Sequence, residues 1–377
     1  MATTLVSSNS WTRTFFPKNK TKILIHRYNS NSSSNSNSPL STTTTFMNHD
    51  AVVSLQEWQG WGTTSPVPAM VTQIAEDLKL LEKDFDSQMK FGRAGGKLQE
   101  DKKHRATYKA LADSEEKLKF YSARQIACRV LGSKGYLCQK CWLAMEDCMC
   151  SQITSSLLFP GIKFWLYMHP KDFLRQNNTG KILWQVFGVD CATLCLYGIP
   201  EHEQIMWNSF KLAGRSNVWC LYPNKNAVLE SVENAFGQEP VANNEVSSEK
   251  QLKEDTTQHF ILIDGTWSNS AAMFRRLQDQ AKSIWGDEDL SCISLNPGTS
   301  AMHKLRPQPS WDRTCTAAAA AGLLLELHLL PRFSSAELDK QAETVEHALT
   351  VLLEALTKRR LRMGRSITRK VRPNNIC

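Results

Sequence analysis

Residues 259–267 read His-Phe-Ile-Leu-Ile-Asp-Gly-Thr-Trp. Phe260 to Ile263 is a short apolar run of β-branched and aromatic type, the pattern of a buried strand. Asp264 stands at its end, followed by a permissive Gly265, then Thr266 and Trp267. A helix-favouring segment begins where Ser268 or Asn269 can serve as N-cap. Strand, acid, glycine turn and helix together put a carboxylate at the carboxyl edge of a sheet, where open α/β folds bind their ligands. A partly desolvated carboxylate there can accept a proton from a substrate. It can equally do no more than cap the turn, with Trp267 filling core, and spacing alone does not choose between the two.

Upstream, Cys138, Cys141, Cys148 and Cys150 form C-x2-C-x6-C-x-C. Two close thiolate pairs on a short loop can complete a tetrahedral zinc site with no other ligand type. The long and short gaps depart from the commonest zinc-ribbon spacings, and a disulfide pair or buried free thiols are the alternatives. The chain has eleven cysteines, an odd number, and no secretory signal. That favours a reducing compartment and a structural Zn2+ over disulfides. Two further polar groups stand out. His169-Pro170-Lys171 closes an earlier strand, with Asn178-Thr179-Gly180 shortly after it; taken alone, His169 also fits a hydrogen-bonded strand-end histidine. Asn296-Pro297-Gly298-Thr299-Ser300 is a turn-rich loop whose amides could cradle an anion, and Arg306 beyond it could clamp a carboxylate or phosphate. No GxGxxG or Walker pattern is present, so nucleotide phosphate chemistry is not indicated.

Positioning these groups takes alternating strands and helices. Apolar runs at Lys163–His169, Cys191–Ile199, Asn217–Tyr222, Phe260–Ile263 and Leu290–Leu295 read as five strands. Helical segments separate most of them, one starting at Pro170. The pattern predicts an α/β fold, a mainly parallel sheet with helices on both faces, preceded by the small four-cysteine zinc loop. Near the end, Ser334 and Glu337 read as a capping box. It opens an amphipathic helix carrying Leu338, Ala342, Val345, Leu349, Leu352 and Leu356 on one stripe. Residues 70–127 are charged and helical in pattern, broken by Gly92, Gly95 and Gly96; Trp58 and Trp61 precede them with no assigned use.

At 377 residues, 41% hydrophobic and 22% charged, the chain is an ordinary soluble globular protein in composition. Its longest apolar run, Ala317 to Leu330, is too short for a membrane span and contains Glu326 and His328, so no membrane partner is expected. The net charge of +8 is local. Residues 358–377 hold eight Lys and Arg and no acid, and without them 37 basic residues face 37 acidic ones. A mobile basic arm suits a phosphate backbone; a solvated helix end or a nuclear-import signal are the other readings. Residues 1–49 contain no acid, five Lys or Arg, and Ser, Thr and Asn runs at 30–45. That composition fits an organellar transit peptide, chloroplast first and mitochondrion second. A merely disordered polar tail would leave cytoplasm or nucleus open. The domain plan is therefore a leader (1–49), a helical extension (50–127), a catalytic domain (128–357) and a basic tail (358–377). The catalytic domain includes the cysteine loop at 138–150 and a polar surface insertion at 237–257 with five acids.

With its strand before and helix after, Asp264-Gly265-Thr266-Trp267 resembles the signature of the DTW-domain proteins. The resemblance runs in order through Cys138–Cys150, His169-Pro170, Asn178-Thr179-Gly180 and Arg306–Ala319, about residues 128–330. It implies a tRNA-uridine aminocarboxypropyltransferase using S-adenosyl-L-methionine, closest to the eukaryotic D-loop subgroup of plant type. It also implies a SPOUT-related sheet that carries a deep trefoil knot. Asp264 is then the candidate base for uridine N3. Arg306, Thr179, Pro297 and Gly298 are the cofactor-binding candidates, and His169, Lys171 and Trp267 the substrate-binding ones. One departure is Cys315-Thr316-Ala317-Ala318-Ala319, where the family often has Ser-Thr-x-Glu-Ala; Ala318 replaces the acid. Other readings are a SPOUT-like RNA methyltransferase, a zinc-dependent RNA-binding module without catalysis, and a structural scaffold.

Overall fold

Strand β1 (Ile162–Met168) sets the architecture, because its side chains alternate between two separate cores. Phe164, Leu166 and Met168 face one; Trp165 and Tyr167 face the other. A strand buried on both faces reads as an unbroken apolar run, which is why the sequence pattern located it. The computed structural model describes residues 53–83, 102–222, 230–237, 257–286, 288–295 and 314–365. The leader, most of the polar insertion (238–256), the loop bearing Pro297, Gly298 and Arg306 (296–313) and the end of the basic tail (366–377) lie outside the described residues.

The sheet is all parallel. To β1 it adds β2 (Ala192–Leu196), β3 (Val218–Leu221), β4 (Glu230–Ser231), β5 (Gln258–Asp264) and β6 (Cys292–Ser294), in the order β2-β1-β5-β3-β6-β4. Five strands fall on the predicted runs. The sixth, β4, has two residues and no apolar run to betray it. Helices α1 (Leu55–Gly60), α2 (Ala69–Lys83), α3 (Lys102–Ala110) and α4 (Ser114–Leu131) come first; α5 (Lys181–Phe187) follows β1. Then come α6 (Pro200–Ala213), α7 (Val232–Phe236), α8 (Trp267–Trp285), α9 (Thr316–His328) and α10 (Leu338–Arg362). One face of the sheet is covered by α5, α7, α9 and α10, the other by α6 and α8. No described helix is long and apolar enough to cross a membrane.

Local starts differ from expectation in three places. Pro170 opens a series of turns instead of a helix. Asp172, Arg175 and Asn178 each donate a backbone N–H to the carbonyl three residues back, and Leu174 takes a positive φ of 55°. A left-handed residue interrupts the helical ladder, so α5 waits until Lys181. Helix α8 starts at Trp267 with Thr266 as N-cap, earlier than Ser268 or Asn269 allow. Ser334 caps nothing in α10: its hydroxyl donates to Pro331 O, and Glu337, left-handed at φ 48°, is the N-cap. The stripe from Leu338 to Leu356 is nonetheless buried as read. Trp58 and Trp61 are 0% and 2% exposed and belong to the core under the sheet. Helices α1, α2 and α4 thus share that core.

Candidate functional site

The carboxyl ends of β5, β3 and β6 open on one cleft, with the turns that follow β1 at its side. Asn178, Thr179, Tyr222, Asp264, Trp267 and Ser294 contribute to its lining, and the start of α9 closes it through Thr316 and Ala319. Ser270 and Thr314 also line it, and Leu221, Leu262, Ile263, Ile293 and Leu295 supply its apolar walls. Asp264 is the one charged side chain among the described lining residues. The chain leaves β1 for β2 on one side and reaches β5 and β3 on the other. This is the reversal point where doubly wound sheets place ligands.

Asp264 is held from several directions. Its backbone carbonyl accepts the His169 N–H at 2.8 Å, locking the ends of β5 and β1 together. Its Oδ1 accepts Asn178 Nδ2 at 2.8 Å, while Asn178 Oδ1 accepts the Lys181 N–H at 3.1 Å at the start of α5. Glycine at 180 is obligatory for this arrangement: a Cβ there would lie 2.0 Å from Asp264 Oδ2. Gly265 is likewise a matter of space, since a Cβ would come 3.2 Å from Met273 Sδ and 3.4 Å from His169 Cβ. The carboxylate is 6% exposed and Thr179 beside it 7%.

On the other flank of Asp264 lie His169, Tyr197 and Tyr121. The His169 ring stacks on Tyr197 at 5.7 Å and 22°, with Tyr121 at 6.5 Å. Burial pulls the His169 imidazole down to about 4, so it is neutral near pH 7. Its Nδ1 accepts the Lys171 N–H at 3.2 Å, which leaves the ring proton on Nε2 as a hydrogen-bond donor. Lys171 is exposed, its ammonium 5.6 Å over the Tyr121 ring. Arg129 donates to the Lys171 carbonyl at 2.8 Å, and Arg175 pairs with Asp172. The flank therefore combines aromatic faces with cations.

The four loop cysteines converge. Cys138 and Cys148 sulfurs are 3.5 Å apart, Cys138 and Cys150 3.7 Å, Cys141 and Cys148 3.9 Å, and all four lie within 4.8 Å of one another. Zn–S bonds of about 2.3 Å in a tetrahedron put sulfurs about 3.8 Å apart, so the set can hold one metal ion. A tight turn builds it: Trp142 N–H donates to Cys138 O, Cys138 N–H to Leu143 O, and Trp142 sits at φ 58° with its ring fully buried. The Cys141 thiol is pulled down to about 4, chiefly by its hydrogen bond with Cys150. All ten described cysteines are free thiols.

The structure thus brings Asp264, Gly265, Trp267 and Thr179 to one cleft and sets His169 and Lys171 beside it, with Thr266 at the head of α8. Pro297, Gly298 and Arg306 lie outside the described residues. Ala318 packs against the core while its neighbours Thr316 and Ala319 line the cleft, so the departure there falls beside the lining. Sequence reasoning missed Asn178 as the partner of Asp264, the buried Lys181 and the tyrosines flanking His169. The Asn-Thr-Gly element was the available signal for Asn178. A family model described as DTW domain matches residues 135–361, more than half of the chain. No solved structure matches it.

Proposed function

The chain belongs to the DTW-domain family, known for tRNA modification, and from that premise we propose that it transfers the 3-amino-3-carboxypropyl group of S-adenosyl-L-methionine to N3 of a uridine in tRNA. The donor supplies an electrophilic carbon on its sulfonium, and methylthioadenosine leaves as that C–S bond breaks. A cationic sulfonium and a flat adenine suit an apolar cleft whose described lining carries one negative charge. Uridine N3 is a weakly acidic imide, and its proton must depart as the N–C bond forms. Asp264 takes that proton, held in place by Asn178. Trp267 offers its ring to the donor or base from the first turn of α8. The donor's carboxylate needs a cation that the described lining lacks, and we assign it to Arg306, with Thr179, Pro297 and Gly298 completing the donor site. On the opposite flank the uracil ring meets the His169–Tyr197 stack, His169 Nε2–H donates to a uracil carbonyl, and Lys171 holds phosphate.

The observation carrying this reading is the buried Asp264 carboxylate, gripped by Asn178 at the cleft edge, with aromatic and cationic residues on its other side. Mass spectrometry of nucleosides from tRNA incubated with the purified protein and S-adenosyl-L-methionine tests it. Aminocarboxypropyluridine is the expected product; methyluridine would show a methyltransferase instead, and unmodified tRNA a binding module. We assign Zn2+ to Cys138, Cys141, Cys148 and Cys150 in a structural role, because four thiolates leave no position open for substrate. Metal analysis should find about one zinc per chain, and Cys141→Ser should lose it together with folded yield. Metal-free protein of undiminished stability would remove the assignment. We further assign residues 1–49 to chloroplast import, to be checked by the location of a fluorescent fusion.

A further inference from the structure

Two basic side chains among the described residues lie wholly inside the protein, Arg124 and Lys181. Arg124 lies against His104, to whose Nδ1 it donates at 3.2 Å. Lys181 is a different case. It is 0% exposed, in the first turn of α5, and its Nζ donates to the Gln176 carbonyl at 2.6 Å. Its ammonium also stands 5.9 Å over the ring of Trp142. Trp142 follows Cys141 directly and is itself fully buried. One neutral carbonyl and one ring face do not compensate a buried ammonium, which normally needs a paired anion. Burial pulls that ammonium down to about 7, and the groups that work against this, were they ionised, are Cys141 first, then Cys150, Cys138 and Asp264.

Four thiolates around a divalent ion carry an excess of two negative charges, and a half-buried site of that charge is stabilised by a cation or N–H donors in its surroundings. The candidates on its outer side are already committed. Arg359 and Arg362 of α10 both reach the Asp147 carboxylate, and Arg362 also reaches Glu146. Lys140, inside the loop, is exposed to solvent. Lys181 approaches from the protein interior, across the ring of Trp142 beside Cys141.

We propose that Lys181 is the counter-charge of the metal-loaded cysteine cluster, a positioning residue that joins the metal loop to the turn before α5 from which Asn178 holds Asp264. This rests on the reading of the cluster as a metal site. Outer partners of metal ligands are typically worth about 10–100-fold in metal affinity, and a neutral replacement should cost that much. The test uses full-length protein, with zinc affinity measured by chelator competition and, after cobalt substitution, the thiolate-to-cobalt absorption band. Lys181→Met keeps the stem and removes the charge; Lys181→Arg keeps the charge. The expected result is an affinity loss of about 10–100-fold for Met, a smaller loss for Arg, and faster alkylation of the loop cysteines in the zinc-loaded Met variant. Cys150→His provides the second arm, because it lowers the excess negative charge of the site by one. In that background Lys181→Met should cost less, and should fold with zinc in excess even if the single variant does not. Equal costs in both backgrounds, an unchanged affinity in Lys181→Met, or failure to fold in both backgrounds would each overturn the counter-charge role. Wild-type protein that binds no metal would instead overturn the metal reading itself.

Discussion

Asn178 Nδ2 and Asp264 Oδ1 meet at 2.8 Å across 86 positions of sequence. Each residue could be singled out by its neighbours in the chain, Asp264 by the strand before it and Asn178 by the turn around it. Their contact could not, because it exists only once β1 and β5 pair in register with Met168 opposite Asp264. Lys181 was invisible for a related reason: a lysine in the first turn of a helix reads as solvent-facing until the cysteine loop is packed over it. The geometry makes two demands on the reaction. Asp264→Asn keeps an oxygen for Asn178 but cannot accept a proton. Its single-turnover rate should fall ~10²–10⁴-fold, with melting temperature and donor affinity close to wild type. A less stable variant with a near-normal rate per folded molecule would mark Asp264 as a turn cap. Gly180→Ala tests the same carboxylate by displacement. Its backbone, φ −56° and ψ −35°, suits alanine, but the new methyl lands 2.0 Å from Asp264 Oδ2. Activity should fall at least tenfold while the folded fraction by circular dichroism is retained; full activity would show that Asp264 need not sit where it does.

Among the elements, α10 changes most from its sequence reading. The basic stretch from residue 358 reads as a mobile arm, yet its first residues are the last turn of this helix and dock on the cysteine loop. Arg362 donates from both guanidinium ends to the Asp147 carboxylate at 2.7 and 2.8 Å, and to Glu146 at 2.7 Å. Arg359 donates to the Tyr136 hydroxyl at 3.2 Å. The Asp147 side chain is only 4% exposed, so these contacts answer a largely buried charge. Charge composition revealed how basic the segment is; which part of it finds carboxylates depends on a contact between residues more than 200 positions apart. Strands, by contrast, were legible because burial on both faces writes an unbroken apolar run. Two truncations should therefore behave differently. Ending the chain after Arg365 removes Arg369, Lys370 and Arg372, and should weaken tRNA binding and flatten its salt dependence by up to about three phosphate contacts while leaving metal content intact. Ending it after Thr357 also strips Asp147 of its partners, and should lower metal retention and melting temperature as well. Identical stability of the two truncated proteins would show that the α10 contacts with the loop carry no weight.

For the molecule as a whole, burial sets a pH limit. His169, His202 and His259 are each pulled down to about 4 from an ordinary 6.5. All three use Nδ1 as an acceptor: His169 from the Lys171 N–H, His202 from the Leu196 N–H, and His259 from Trp165 Nε1–H. Below pH 6.5 the unfolded chain binds protons that the folded one refuses. Stability is therefore complete above that value and declines progressively as pH falls towards 4. Melting temperatures at pH 7.5, 6 and 5 should show a plateau and then a drop, smaller in His202→Gln, whose amide cannot take up a proton; a flat profile would contradict the neutral, buried state of these rings. The same histidine marks how the chain closes. Ser65 Oγ meets His202 Nε2 at 2.8 Å across 137 positions, and Trp58 in the same core stacks edge-on against that ring at 5.8 Å. A ribosome adds about 5–20 residues per second, so Trp58 emerges on the order of ten seconds before the ring it will lie against has been made. During that interval Trp58, one of the largest fully buried side chains, lacks the ring that covers it edge-on. A chain threaded amino end first through an import pore meets the same order of arrival, Trp58 ahead of His202.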